Sequence, residues 1–414
     1  MMPTDWRDFL DQAIDDRFSQ LVAIRRHLHA HPELSGQERD TSLYLYQLLS
    51  DLHFDVRMGP EGCGLIVDDR SKPAVSRVAI RADIDALHIH DAKQVDYRSQ
   101  NEGVMHACGH DAHTATVFGA ITALKALQAS GELPWDVSFR GIFQPAEETC
   151  AGATSMIQAG ALEDVSSLIA VHMDPTRRVG HVGFRAGVLT ANCDEMEIVI
   201  SGRGGHAARP HEASDPIAAA AQLVNALYLF IPRVTDSQDA VVVTIGKIDG
   251  GDHANVIPER VTLRGTIRTL DQVVRRKTME HISRIASSVA QTSETKINVQ
   301  FGLGCKSVVN DAKVVQILRL AARDVLEPAG VEEIPRPSMG SEDFAFYLEQ
   351  VPGAMIRLGS TSDRVGGSGL HTPTFDIDEE SLRIGARILA RSVVYLADPD
   401  RERRLEENQA SGVW

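Results

Sequence analysis

The alternation of helix and strand along this chain is interrupted once, between about residues 195 and 301, by a run of different periodicity. Before the interruption, 9–28 and 42–52 have helical spacing and Val78-Ala79-Ile80 is a short buried strand. A helix over 111–129, a strand over 137–143, a helix over 155–161 and a strand over 168–171 follow. Such βαβ rhythm predicts an open, mostly parallel α/β sheet with helices on both faces. Inside the interruption, Met196, Ile198 and Ile200 alternate as a strand and 215–231 reads as a helix. Strands over 241–245 and 261–267, a helix over 271–292 and a strand over 297–301 complete the run. That order is β-α-β-β-α-β, the ferredoxin-like unit, complete in about 105 residues. A helix over 311–326, a strand over 354–358 and a helix over 378–397 then resume the first rhythm. The expectation is a discontinuous domain of residues 1–190 and 303–414 with a second domain, 191–302, inserted into it.

Composition limits what such a protein can bind. A length of 414 residues suits two domains, and 43% apolar residues can bury a large core. The net charge of −15 argues against nucleic acid and against anionic membrane surfaces. No run approaches the length that spans a bilayer. Residues 1–20 are charged and broken up, without the apolar core of a signal peptide. Five cysteines form an odd, scattered set, so a reducing cytoplasm is the expected location. Residues 398–414 are charged and weakly patterned, which predicts a frayed tail.

The chemistry-bearing residues gather at strand ends, where open α/β sheets place their sites. His106-Ala107-Cys108-Gly109-His110-Asp111 sets a thiol and an imidazole on a turn before a helix. By itself this also reads as a buried cysteine among surface histidines. Glu147 and Glu148 follow the strand at 137–143, His172 follows 168–171, and His371 lies far downstream. One cysteine, three histidines and a carboxylate suit two divalent ions at mixed N/O/S sites. Adjacent glutamates point in different directions, so one can bind metal while the other reaches water. A divalent ion acidifies water towards a pKa of about 7, within reach of a carboxylate base. Glu147-Glu148 as a solvated acidic pair, and His172 or His371 as turn residues, are the ordinary alternatives. Asp83 and Asp85 read either as residues that orient a ligand or as a pair closing a strand–turn. His27, His29, His31, His90, His106, His113 and His211 read as structural or surface residues, His113 being the best placed to support a ligand.

Taken together, the segments resemble the M20 family of metallopeptidases and amidohydrolases, in the branch of aminoacylase, hippurate hydrolase and auxin-conjugate hydrolase. Arg25-Arg26-His27-Leu28-His29, Arg81-Ala82-Asp83-Ile84-Asp85 and 105–113 carry the resemblance, with 143–148, Val171-His172 and Gly204-Gly205-His206. Asn255-Val256-Ile257-Pro258, Gly265-Thr266-Ile267-Arg268, Gly340-Ser341-Glu342-Asp343 and Leu370-His371-Thr372-Pro373 extend it to about residue 376 in the family's order. The resemblance implies two divalent metal ions (Zn, Mn, Ni or Co) on Cys108, His110, Glu148, His172 and His371, with Glu147 as general base and proton donor. It implies that His206 reaches a partner subunit's active site to stabilise an oxyanion, and that Asn255 and Arg268 hold a substrate carboxylate. The inserted domain would be a lid or dimerisation domain, making the protein a homodimer or higher homo-oligomer.

The implied activity is hydrolysis of the amide of an N-acyl (N-acetyl or N-aroyl) amino acid. A dipeptidase, an N-acetyl-diaminopimelate deacetylase, or a metal-containing binding protein without catalysis are the alternatives. His88, Thr149-Cys150-Ala151 and Ala170 depart from the family's pattern beside the site without replacing a ligand. A thiolate ligand at Cys108 predicts faster attack by thiol reagents on metal-free than on loaded protein.

Overall fold

The computed structural model describes residues 5–69, 76–302 and 304–410. Contacts divide the chain into two compact units: residues 1–187, 309–335 and 343–414 form the first, and 188–308 with 336–342 the second. The second unit thus runs to 308 rather than 302 and takes in a short return segment.

Along the first stretch of chain come helix α1 (Trp6–Ala30), α2 (Arg39–Asp51), strands β1 (Phe54–Met58), β2 (Leu65–Asp69) and β3 (Arg77–Asp83), and α3 (His110–Ser130). Strand β4 (Phe139–Gln144), α4 (Gly152–Gln158), β5 (Val165–Arg178) and β6 (Val182–Phe184) follow. The middle stretch carries β7 (Asn192–Ser201), α5 (Pro216–Val234), β8 (Val241–Asp249), β9 (Arg260–Thr269), α6 (Gln272–Ser293) and β10 (Lys296–Phe301). The chain closes with α7 (Ala312–Arg323), β11 (Val331–Glu333), α8 (Ala345–Leu348), β12 (Gly353–Thr361), α9 (Glu380–Leu396) and α10 (Arg401–Ala410).

In the first unit an eight-stranded sheet runs β1-β2-β4-β3-β5-β12-β6-β11. Its centre is parallel: β3 pairs in parallel with both β4 and β5, and β5 with β12. The β1–β2 hairpin joins β4 antiparallel, and β6 pairs antiparallel with β12. The central strands are buried along their length, as parallel strands covered on both faces must be. Helix α3 is buried around most of its circumference and packs on α1, α9 and β3.

This strand order creates the site. From β3 the chain crosses to β4 on one side, then returns past β3 to form β5 on the other. A crevice opens at that divergence, beyond the carboxyl end of β3. The β3–β5 ladder stops at Arg81 and Ala170, while β5 continues to Arg178 against β12. His172 therefore lies within β5, not at its end as the sequence predicts; it faces the crevice because β3 has already finished.

The second unit is a four-stranded antiparallel sheet in the order β8-β9-β7-β10, the strand order of the ferredoxin-like β-α-β-β-α-β unit. Buried Leu223, Leu227 and Ile231 of α5 and Ile282, Ala286 and Val289 of α6 cover one face of it. One expectation is overturned here. Among the described residues α5 is long and apolar enough to cross a membrane by length and composition, although it packs one face on this sheet. Its other face leaves Tyr228, Leu229 and Phe230 exposed.

The predicted frayed tail is also corrected. Residues 401–410 are helical, because Arg404 pairs with the buried Asp398 and Leu405 is buried against the core; 411–414 lie outside the described residues.

Both helices of the second unit have aspartate N-caps. The Asp271 carboxylate accepts the Val273 and Val274 N–H groups at the start of α6, and Asp215 does the same for Ile217 and Ala218. Replacing Asp271 by Ala should destabilise this unit by about 1 kcal/mol. Urea titration followed by circular dichroism measures the loss, and Asp271→Asn should recover most of it.

Candidate metal centre

Asp85 organises the crevice. Its Oδ1 and its carbonyl oxygen lie 3.0 and 2.9 Å from His110 Nδ1. Its Oδ2 accepts the Ser35 hydroxyl at 2.7 Å and the Glu148 N–H at 3.0 Å. The proton of His110 is thereby fixed on Nδ1, and Nε2 turns into the crevice, where it is buried without a hydrogen-bond partner. Around that nitrogen stand Asp83 Oδ2 at 3.6 Å and carboxylate oxygens of Glu147 and Glu148, each at 3.9 Å.

Gly109 makes the approach possible. It starts α3 at φ +89°, a left-handed conformation, and a Cβ there would lie 3.1 Å from Met173 Cγ. Any other residue would push Cys108 and His110 away from β5. Cys108 Sγ lies 3.6 Å from His172 Nε2, and ligand atoms of Cys108, His110 and Glu148 gather within 4.8 Å of one another. His172 Nδ1–H donates to the Met173 carbonyl at 2.8 Å, which also aims its Nε2 inward. His371 comes from the loop before α9. It is exposed, has φ +59°, donates its N–H to the Ala107 carbonyl, and sets Nε2 3.4 Å from Glu148 Oε1.

Cys108, His110, Glu147, Glu148, His172 and His371 therefore meet in one cluster of the first unit, buried except at His371. The donors suit divalent metal: thiol, imidazole and carboxylate, with two buried atoms, His110 Nε2 and Glu148 Oε1, making no hydrogen bond.

His113 behaves differently. Its Nδ1 bonds Asp83 Oδ1 at 2.6 Å and its Nε2 accepts the Met173 N–H at 2.8 Å. Both nitrogens are spent, so His113 orients β5 and Asp83 and offers no lone pair to a metal. Asp83 is held further by Arg81, whose guanidinium also reaches Gln144 and Asp343.

Two further residues support the site from distant segments. Buried Glu38 accepts the N–H of Ala146, which has φ +53° and begins the glutamate turn. Buried Asp343 accepts from Arg81, Gln144 and the Ala153 N–H. The Arg81-Ala82-Asp83 and Gly340-Ser341-Glu342-Asp343 stretches signal part of this lattice, and no sequence pattern signals Glu38.

The charges are tuned for a cation. Burial, reinforced by the Glu148 charge, pushes the Cys108 thiol up to about 12. Burial draws His110 down, but Asp83, Cys108 and Asp85 outweigh it and hold the imidazole well above its usual value. Burial, helped by the Arg357 charge, holds His172 well below its usual value, so it is a neutral donor. For Asp83, burial opposes ionisation, yet His110, Arg81 and His113 keep it well below the ordinary carboxylate range. The thiol-reagent expectation changes accordingly: without metal, Cys108 is a buried, protonated thiol and a poor nucleophile.

In the second unit His206 is exposed and its strand pairs with Val256, next to Asn255. His206 Nδ1 accepts the Ala208 N–H at 3.0 Å, and the Asn255 carbonyl accepts the Ala207 N–H. Arg268 on β9 is half-buried, and its Nη1 donates to the Met339 carbonyl at 2.8 Å.

A doubly wound sheet with a buried thiol, imidazole and carboxylate cluster at its switch point, joined to a ferredoxin-like unit, defines a class of metal-dependent hydrolase. Residues 79–394 match the family model described as Peptidase family M20/M25/M40, and the chain belongs to that family. It is similar to an N-acetyl-L-cysteine deacetylase of Bacillus subtilis, 36% identical over 394 residues that cover 94% of this chain and 91% of the relative. An IAA-amino acid hydrolase of Arabidopsis thaliana is 34% identical over 91% of this chain and 85% of its own. Among solved structures, a dinuclear metal binding peptidase of the M20 family from Bacillus subtilis superposes with a TM-score of 0.77 at 33% identity. It covers 92% of this chain and 99% of that one. The chain is a metal-dependent hydrolase of amide bonds, and its cofactor is a pair of divalent ions.

Because Cys108 and His110 both carry protons in the metal-free chain near neutral pH, metal uptake should release more than one proton. Affinity should therefore rise by more than about tenfold per pH unit and weaken on acidification. Calorimetry in buffers of different ionisation heat counts the protons, and Cys108→Ser should release about one fewer.

Proposed function

We propose that this chain hydrolyses the amide bond of N-acyl amino acids, giving a carboxylic acid and a free amino acid. The observation that carries the reading is the cluster in which Glu147 stands 3.9 Å from His110 Nε2, beside the candidate ligand set. Cys108, His110, Glu148, His172 and His371 would hold the two metal ions. Bound there, the ions supply Lewis acidity, polarising an amide carbonyl and acidifying water. Glu147 takes the proton of the attacking water on its carboxylate and later delivers it to the departing amine. Asp85 keeps His110 and the Glu148 backbone in register throughout, and Asp83 with His113 holds the neighbouring strands.

Three residues of the second unit complete the reading. His206 accepts at Nδ1, so its neutral ring carries the proton on Nε2, a donor suited to an oxyanion. Asn255 offers an amide and Arg268 the remaining N–H groups of its guanidinium to a substrate carboxylate. His206 would serve the active site of a second subunit. The exposed apolar face of α5, with Leu229 59% and Phe230 49% accessible, supports this, as does the open edge strand β8 with Ile248 62% accessible. A second copy, rather than a lipid surface, is the occupant proposed for this face. An exposed strand edge offers backbone N–H and C=O groups that another chain pairs and lipid does not.

Glu147→Gln should keep both metal ions and lose nearly all turnover, on the order of 10²–10⁴-fold. Turnover at the wild-type rate on every cleavable substrate would refute the assignment. Rates on N-acetyl, N-benzoyl and dipeptide substrates, with a chelator-treated control, separate amidohydrolase from dipeptidase and diaminopimelate deacetylase. Tight binding without hydrolysis would mark a binding protein instead. Leu229→Asp should yield monomers by sedimentation, with a folded second unit and reduced activity.

A further inference from the structure

Behind the candidate ligands lies a set of buried charges that the proposed chemistry does not use. Arg25 on α1 is fully buried; its Nε donates to Asp111 at 3.0 Å and its Nη2 to Asp376 at 2.6 Å. Asp111 follows His110 directly, and Asp376 closes the loop that begins at His371. The guanidinium therefore ties together the two chain segments that carry these histidines.

The loop is fastened at further points. Lys93 Nζ donates to the Phe375 carbonyl at 2.9 Å and to His29 Nε2 at 2.7 Å, and His29 Nδ1 bonds Asp111 at 2.7 Å. The Tyr97 hydroxyl donates to Asp376 Oδ2 at 2.8 Å, and the Ala92 N–H to the Pro373 carbonyl at 2.9 Å.

Burying this many charges is costly, and a buried ion pair is weak evidence for stability, since apolar packing often does as well. What apolar packing does not supply is a fixed distance between two segments. His371 needs one. It is exposed, sits in left-handed backbone on a loop, and has only the Ala107 carbonyl to hold its own N–H.

We propose that the Arg25–Lys93–Tyr97 lattice is a positioning device that fixes His371 against Glu148 and His110, so that the affinity of one of the two metal ions depends on it. This rests on the reading of His371 as a ligand. Its residues touch neither metal nor substrate; they act by holding the loop. Groups that orient a ligand commonly cost 10–100-fold in metal affinity when removed.

The test uses full-length protein and Co(II), with chelator competition for affinity, visible absorption for coordination, and thermal melting for the fold. Tyr97→Phe removes the tie to Asp376, and Lys93→Met those to Phe375 and His29, while both leave the Arg25 pairs intact, so folding should persist. Each should bind the first Co(II) like wild type and the second roughly 10–100-fold more weakly. Excess Co(II) should restore kcat, and Lys93→Arg should recover part of the affinity. His371→Ala, the benchmark, should weaken the same equivalent. The inference is overturned if both variants bind two equivalents with wild-type affinity while their melting temperatures fall, since the lattice would then be scaffold only. If His371→Ala also keeps both equivalents, the ligand assignment is at fault and the positioning inference falls with it.

Discussion

One carboxylate, Asp85, holds the site in register. It fixes the proton of His110 on one nitrogen, frees the other for the crevice, and grips the backbone of Glu148 through its second oxygen. A serine hydroxyl from the loop after α1 holds Asp85 in turn. Three separate stretches of chain thus converge on one buried side chain at the end of the central strand. Losing that group would leave an imidazole free to rotate and a glutamate turn free to shift. In a low-dielectric setting, either movement changes the charge the crevice prefers.

That preference unites the structure's electrostatic features. Asp83, Glu147 and Glu148 surround a buried nitrogen with negative charge, and desolvation makes the interaction strong. A positive charge must occupy the centre, as a proton when no metal is bound and as metal otherwise. His172 is the exception, a neutral ring ready to donate. His113 shows that nearness is not enough: it sits within the same cluster, yet both its nitrogens are already committed.

Much of this was legible in the sequence, because periodicity reports the large elements and their order. The break at residue 195 marks the ferredoxin-like unit, whose amphipathic helices and alternating strands bury only one face. The hairpin over 54–69 escaped because its strands are short and separated by Gly59, Gly62 and Gly64, and its pairing is set by β4, far downstream. His172 reads as a strand end in the sequence, yet it lies within β5 and is exposed to the crevice by the end of β3, which no local signal reports. The helix at 401–410 depends on a tertiary partner for Arg404 and on burial of Leu405. A ligand-orienting role for Asp85 is one of its two sequence readings, whereas the roles of Glu38 and Lys93 arise from contacts between distant segments, which no local pattern records.

The position of β12 in the sheet has a consequence for synthesis. It lies between β5 and β6, yet its residues, 353–361, are synthesised only after the whole of the inserted unit. The inserted unit, nearly all of it contiguous between 188 and 308, can fold while the first unit still lacks an inner strand. Until then β5 has an open flank that another chain could pair with. His371 emerges later still. The nascent chain therefore carries a folded insert before its main sheet is complete, and His371 joins the other candidate ligands only after both are made.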